Sequence, residues 1–365
     1  MDGAPGGRVV YHLHLHERLA HGTAYLMDLT AQAPNWKRTI RAMGGFWQGD
    51  FTITAETMNL VEMRNLYDIL IGCRIVENTA GITTWEGEVT QLELTVAGVT
   101  NRRTLAPEFF HNKVKVTYTD NASRATSATT WSEDTSSSEL YGQSCYIDVV
   151  GNGYNVTAAE ARRDRRLSED AYPNSVAVGG LSSDTNEAEQ SNQLRVMCAG
   201  YVFSMNRRFR ENDTAPTNLS TQIATLVGES EFVTVGQIDA NTLSVPIAGS
   251  EIPWRLWDGI EDMINMGDAS GNRWVGGVYQ DQRFYFYRAS TEVSHYWENG
   301  RLLDLNHVRV PPTLIEPNII VQIAGASFGQ EPTSANTWDS PRNSYIEEVE
   351  FIVPDQYRLV LGDNR

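Results

Sequence analysis

The sequence predicts a mainly β protein: two β-rich barrel or sandwich lobes, each with one packed helix, joined by a smaller connecting α/β region. Three observations carry this. Apolar residues alternate with period two in runs on both sides of an amphipathic helix in the first third of the chain. Residues 120–144 then shift to Ser, Thr, Asn and Asp, which marks a polar connection. After residue 195 strands and an amphipathic helix return. The expected limits are 1–119 for the first lobe, 120–194 for the polar loop and helical connection, and 195–365 for the second lobe with its helix over 253–266.

In the first lobe Val9–Leu15 alternates as a strand, Thr39–Met43 extends the sheet, and Phe46–Ile53 follows a Gly44-Gly45 turn. Asn59 with Glu62 three residues on forms a capping box, opening a helix whose Leu60, Met63, Leu66, Tyr67 and Leu70 share a face and which stops at Gly72. Strands follow over Arg74–Glu77, Thr84–Val96 after a Gly81 turn, and Lys113–Thr119. In the connection, Thr157 and Glu160 read as a second capping box, with a helix through Arg162, Arg163, Arg165 and Arg166 to Ala171 before Pro173. Those arginines read as a solvated or inter-subunit salt-bridge face ahead of a basic patch.

The second lobe reads as strands over Val196–Met205, Glu231–Val235, Trp274–Tyr279, Phe284–Tyr287 and Ile319–Ala324. Its helix starts at Pro253, aligns Trp254, Trp257, Ile260, Met263 and Ile264, and closes at Gly267.

With 365 residues and 41% hydrophobic content the chain has enough apolar material for two to three cores. Its longest apolar runs are strand-length, so neither a membrane anchor nor a signal peptide is expected. Cys73, Cys145 and Cys198 are far apart and read as reduced, small hydrophobes. A net charge of −17 speaks against gripping nucleic acid, whose phosphates are held by Lys and Arg. The same charge suits a wall past which DNA slides without sticking, as it suits plain solubility.

No cofactor is implied and no catalytic residue is assigned. His12, His14 and His16 alternate along one strand and point to one face, where a pair could share a metal ion; a structural histidine row is the favoured reading. Glu17 points the other way. Gly325-Ala326-Ser327-Phe328-Gly329 matches a nucleophile elbow, but Pro332 stands where the elbow needs a helix and the last histidine, His307, precedes the serine. Asp268-Ala269-Ser270-Gly271-Asn272 begins like an EF-hand loop, yet Arg273 and Tyr279 occupy its glycine and glutamate positions, and a helix-ending turn explains it better. Nine tryptophans, among them Trp36, Trp47, Trp131 and Trp297, offer either a sugar-stacking platform or core and interface packing. Abundant carboxylates leave a glycoside hydrolase as a remoter alternative.

Trp85-Glu86-Gly87 heading a long amphipathic strand, Asn112-Lys113-Val114-Lys115-Val116-Thr117-Tyr118, and the Ser/Thr/Asp-rich loop after it resemble tail-hub proteins of bacteriophages, the group that includes the central hub of contractile baseplates. Leu167-Ser168-Glu169-Asp170-Ala171-Tyr172-Pro173 fits the same pattern, as do Arg273-Trp274, Gly277-Val278-Tyr279 and Phe284-Tyr285-Phe286-Tyr287. The resemblance implies a non-enzymatic virion protein, assembled in the host bacterial cytoplasm, whose subunits each contribute two tail-tube-like β-barrels to a homotrimeric, pseudo-sixfold ring. Its implied partners are further copies of itself, a tail-tube or distal tail protein, and a tail spike, tip or tape-measure protein, with DNA only passing through. No fibre, peptidase or wall-degrading region is expected after Arg365, so receptor binding is an alternative role with less behind it.

Overall fold

The computed structural model describes residues 11–22, 24–79, 81–178, 192–210, 217–245, 255–289, 293–297, 320–323, 342–352 and 356–363. Val9, Pro253, Trp254, His307 and Gly325 to Gly329 lie outside the described residues. The chain is mainly β, with several helices packed on its sheets.

The first lobe opens with β1 (Tyr11–Arg18), β2 (Tyr25–Asp28), β3 (Lys37–Arg41) and β4 (Gly44–Thr54). Leu13 and Leu15 of β1, with Phe51 and Ile53 of β4, are sealed from solvent at alternate positions, which is what a half-buried sheet requires. Helix α1 (Leu60–Ile69) begins at the expected capping box: the Asn59 side chain accepts the Glu62 N–H, and the Glu62 carboxylate accepts the Asn59 N–H. Its Met63, Leu66 and Tyr67 pack into the first core. There follow β5 (Cys73–Thr79), the fifteen-residue β6 (Ile82–Val96) and β7 (Val99–Thr104).

The connecting region contains β8 (Lys113–Asp120), β9 (Thr126–Ala128), β10 (Ser132–Glu133), α2 (Thr135–Tyr141), β11 (Cys145–Tyr154), α3 (Val156–Asp170) and β12 (Val176–Val178). The expected polar stretch over 120–144 is therefore structured in part. Strand β8 pairs with β9 and β10 antiparallel and with β11 parallel, making a separate small sheet against which Ala159 of α3 packs. Helix α3 starts at Val156, and its cap is Asn155, whose side chain accepts the Ala158 N–H; Thr157 lies already inside the helix, so the sequence reading placed the cap two residues late.

In the second lobe come β13 (Gln193–Ala199), α4 (Val202–Met205), β14 (Thr217–Asn218), α5 (Leu219–Gly228), β15 (Thr234–Ile238), β16 (Ser244–Val245) and α6 (Leu256–Asn265). They are followed by β17 (Trp274–Tyr279), β18 (Arg283–Arg288), β19 (Val293–Trp297), β20 (Ile320–Ile323), β21 (Arg342–Ile352) and β22 (Gln356–Asp363). Three expectations are corrected here. The strand expected over Val196–Met205 ends at Ala199, because Gly200 donates to the Trp47 carbonyl and the chain turns into α4. Helix α5 was not expected at all, so among the described residues this lobe packs three helices where one was foreseen. Helix α6 begins at Leu256, after an extended Arg255 without a side-chain cap, instead of at Pro253.

Among the described residues sixteen strands join one hydrogen-bonded network, whose main path runs β19-β20-β21-β3-β4-β13-β6-β5-β1-β2. Strand β13 lies antiparallel between β4 and β6, pairing Val196 with both Phe51 and Leu92. The other edge of β6 passes from β5 to β7 near its middle. At that corner sits Gly87, where a Cβ would collide with the Ala199 carbonyl and the Trp85 indole. Two large apolar cores result. One is built around Trp36, Phe51, Trp85 and α1; the other around α5, α6, Trp274 and Phe284.

The cores meet where β17 runs parallel to the start of β4, pairing Gly277 with Gly44 and Val278 with Gly45. A Cβ on Gly45 would overlap the Val278 backbone, and its φ of +77° already favours glycine. A Cβ on Gly277 would overlap the backbone of Gly44 and Gly45. Gly277→Ala is therefore expected to destabilise the full chain by about 1–3 kcal/mol in urea denaturation. Gly151→Ala, at an exposed position where a Cβ meets nothing within 4 Å, should leave the midpoint nearly unchanged.

Candidate functional site

Three features of the molecule could carry function: the histidine row, the buried charges of β5 and β6, and the open strand edges. His12, His14 and His16 do share the outer face of β1, with neighbouring ring centroids 6.0 and 6.5 Å apart. The β1–β2 register sets Asp28 directly across from His14, and the Asp28 Oδ2 lies 3.8 Å from His12 Nδ1. His12, His14 and Asp28 thus converge, while His16 stands against the edge of Tyr25 at 5.9 Å. Asp28 was invisible as a partner in the sequence because only the strand pairing brings it there. Burial tends to raise the Asp28 carboxyl, but hydrogen bonds from Thr30 and the two histidines leave it below its usual range.

The carboxylates of β5 and β6 are nearly sealed from solvent and each faces an arginine. Glu77 pairs with Arg38 at 2.5 Å and accepts the Trp36 indole N–H at 3.0 Å. On the opposite face of the sheet, Glu86 pairs with Arg74 at 2.6 Å and accepts the Gln282 N–H at 3.0 Å. Glu88 pairs with Arg207, which also donates to the Tyr141 carbonyl at 3.0 Å. Burial pushes the Glu88 carboxyl up to about 7 against the pull of Arg207. An open cleft of about 620 Å³ borders this pair, with Gln48, Gln91, Arg195 and Asp258 on its walls. Glu86 and Glu88 are each held by an arginine, and Glu88 also lines the cleft, where its Oε1 has no hydrogen-bond partner among the described residues.

The remaining candidates resolve into structural roles. Cys73, Cys145 and Cys198 are buried and form no disulfide; burial raises the Cys73 thiol to about 11 and lifts the Cys198 thiol well above its ordinary value. The Asp268 carboxylate is filled by the chain's own donors, taking the N–H groups of Ser270 and Asn272 and the Trp274 indole, so it closes the turn after α6. The arginines of α3 are bound within the chain: Arg162 grips Asp148 at 2.6 Å, Arg163 donates to the Thr130 carbonyl, and Arg166 reaches Asp170. Among the described tryptophan side chains, Trp36, Trp85, Trp257 and Trp274 are buried, Trp47 lies under Arg41, and Trp131 is covered by Lys113 and Lys115.

Outward-facing edges are different in character. Among the described residues β2, β11, β12 and β22 each pair on one side only. Each exposes apolar side chains: Tyr25 and Leu26 on β2, Val149 on β11 (76% exposed), Val176 on β12 and Val360 on β22. No described helix is long and apolar enough to cross a membrane.

No protein-family model matches the chain, and no curated protein matches it. Among solved structures, a tail protein from Neisseria meningitidis aligns over 97% of this chain and 96% of its own, with 8% identity and a TM-score of 0.48. A 43 kDa tail protein of prophage MuSo2 from Shewanella oneidensis aligns over 97% of both chains, with 9% identity and a TM-score of 0.45. An E. coli component of the type VI secretion system, described as structurally similar to T4 bacteriophage tail proteins, aligns over 76% of this chain and 74% of its own at 8% identity and a TM-score of 0.32.

Two expectations follow from the buried charges. Arg207→Met leaves Glu88 without its partner and should cost about 3–5 kcal/mol in urea denaturation at pH 8, most of it recovered when Glu88→Met is added. His111 is buried and stacked on Tyr146 at 4.2 Å; burial, with Arg255 and Arg166 nearby, pushes its imidazole down to about 4. The folded state thus refuses a proton that the unfolded chain accepts. Its contribution is complete above about pH 6.5 and is lost toward pH 4, by up to about 3 kcal/mol. His111→Phe, which keeps the stack, should flatten that part of the melting-temperature profile.

Proposed function

We propose that the protein is a structural hub at the distal end of a phage tail, forming a homotrimeric ring that joins the tail tube to the tip or baseplate and surrounds the DNA path. The observation that carries the assembly is the set of open strand edges bearing exposed apolar side chains. An uncovered edge is a row of unpaired N–H and C=O groups, which proteins otherwise blunt with charge, proline or a covering element. Here Tyr25, Leu26, Val149 and Val176 stand on such edges in a chain of net charge −17. Neighbouring subunits would cover them as a ring closes.

The position in a tail rests on the motif resemblance, and five of the residues that carry it have structural tasks. Trp85 fills the first core, Glu86 holds Arg74 and the β17–β18 turn, and Gly87 makes the corner of β6. Gly277 and Val278 join the two cores. The acidity suits a conduit wall that DNA passes without adhering. In this reading the protein is non-catalytic, and its partners are its own copies, a tail-tube or distal tail protein, and a tip, spike or tape-measure protein.

Cryo-EM of the purified chain and of the assembled particle should show a threefold ring with β2, β11 or β12 at subunit contacts. Val149→Glu, at a position too exposed to disturb folding, should shift the mass-photometry distribution toward monomer if β11 is such a contact. A lone, monomeric subunit inside assembled particles would overturn the proposal.

A further inference from the structure

We propose that His12, His14 and Asp28 form a binding site for a divalent zinc-like cation on the outer face of the β1–β2 edge. This does not rest on the tail-hub reading. Alternation along β1 places His12 and His14 on one face, and the antiparallel register places Asp28 opposite His14. One ligand atom from each residue lies within 4.8 Å of the other two. Around zinc, with bonds of about 2.0–2.2 Å, tetrahedral ligand atoms stand about 3.4 Å apart. Rotation of the exposed His12 side chain toward the fixed Asp28 carboxylate would narrow that difference without moving the backbone.

The surroundings are those of a held ligand set. The Thr30 N–H donates to Asp28 Oδ1 at 2.8 Å, which fixes the carboxylate and leaves Oδ2 turned toward His12. Asn78 of β5 turns its Nδ2 toward His14 Nδ1 at 3.3 Å, and its Oδ1 accepts the Thr83 hydroxyl at 3.1 Å. A half-turn of the amide, with the Thr83 hydroxyl then accepting from Nδ2, would let Oδ1 accept the His14 Nδ1–H and present Nε2 to a metal, the usual outer-shell arrangement. Tyr25 packs edge-on against His14 at 5.5 Å and limits its swing. A simple ion pair would need one histidine beside Asp28; two converge here. Two imidazoles and one carboxylate select zinc, cobalt, nickel or copper over calcium and magnesium. A fourth position stays open to water or to a donor from an adjoining chain.

The test is titration of the full chain with Zn²⁺ by calorimetry and with Co²⁺ by visible absorption. One saturable site per chain and the intense d–d bands of low-coordinate Co²⁺ are expected. His14→Ala and Asp28→Asn should each weaken binding by at least about tenfold, and Asn78→Ala by about tenfold. His21→Ala, an exposed histidine outside the cluster, should leave it unchanged. Melting in EDTA should be the same for all variants, showing that each is folded. Absence of saturable binding by the wild type, or undiminished binding after His12→Ala with His14→Ala, would overturn the proposal.

Discussion

The structure depends on a backbone contact that side chains would forbid: Gly44 and Gly45 of β4 against Gly277 and Val278 of β17. Strand β4 carries β3 and β13 on its long edges, so its first two residues are where the sheet network can reach β17, β18 and the helices packed on them. The contact is parallel and short, and by itself it would be a weak hinge. It is braced from the side by the β17–β18 turn, where Asp281 and Gln282 adopt positive φ and the Gln282 N–H donates to Glu86. Glu86 in turn holds Arg74. The join is thus a backbone approach locked by a buried charge.

That arrangement explains why the charges divide as they do. The three most buried carboxylates, Glu77, Glu86 and Glu88, are each matched by an arginine from another element, so strand β6 can be covered on both faces. Its Trp85 and Val89 face one core, and Glu86 and Glu88 meet the second lobe. Each of these ion pairs braces one element against another in the interior. The apolar strand edges and the histidine row of β1 are turned outward.

Much of this was legible wherever the signal is local. The Asn59–Glu62 capping box fixed the start of α1 to the residue, and the alternation in β1, β4 and β6 gave their buried faces. The end of β13 was missed because Gly200 was read as part of a strand, though glycine at that place serves a turn. Helix α5 carries an Asn218 cap and apolar Leu219, Ile223, Leu226 and Val227 at helical spacing, a signal present but overlooked in the stretch between two expected strands. Other features have no local trace. The place of β13 between β4 and β6, the pairing of β8 with β11, and the arrival of Asp28 beside His14 are set by contacts between distant segments. Two of the three residues of the candidate metal site were therefore visible in the histidine row, and its carboxylate was not.

The position of β13 also governs how the chain is made. Until that strand leaves the ribosome, the facing edges of β4 and β6 have no partner, although both were synthesised long before. A nascent first lobe is consequently an open sheet, prone to pairing with other nascent chains, and its closure waits for the connecting region to emerge. Translation rate and chaperone cover during that interval should therefore decide the yield of soluble subunit more than the final stability of the fold does.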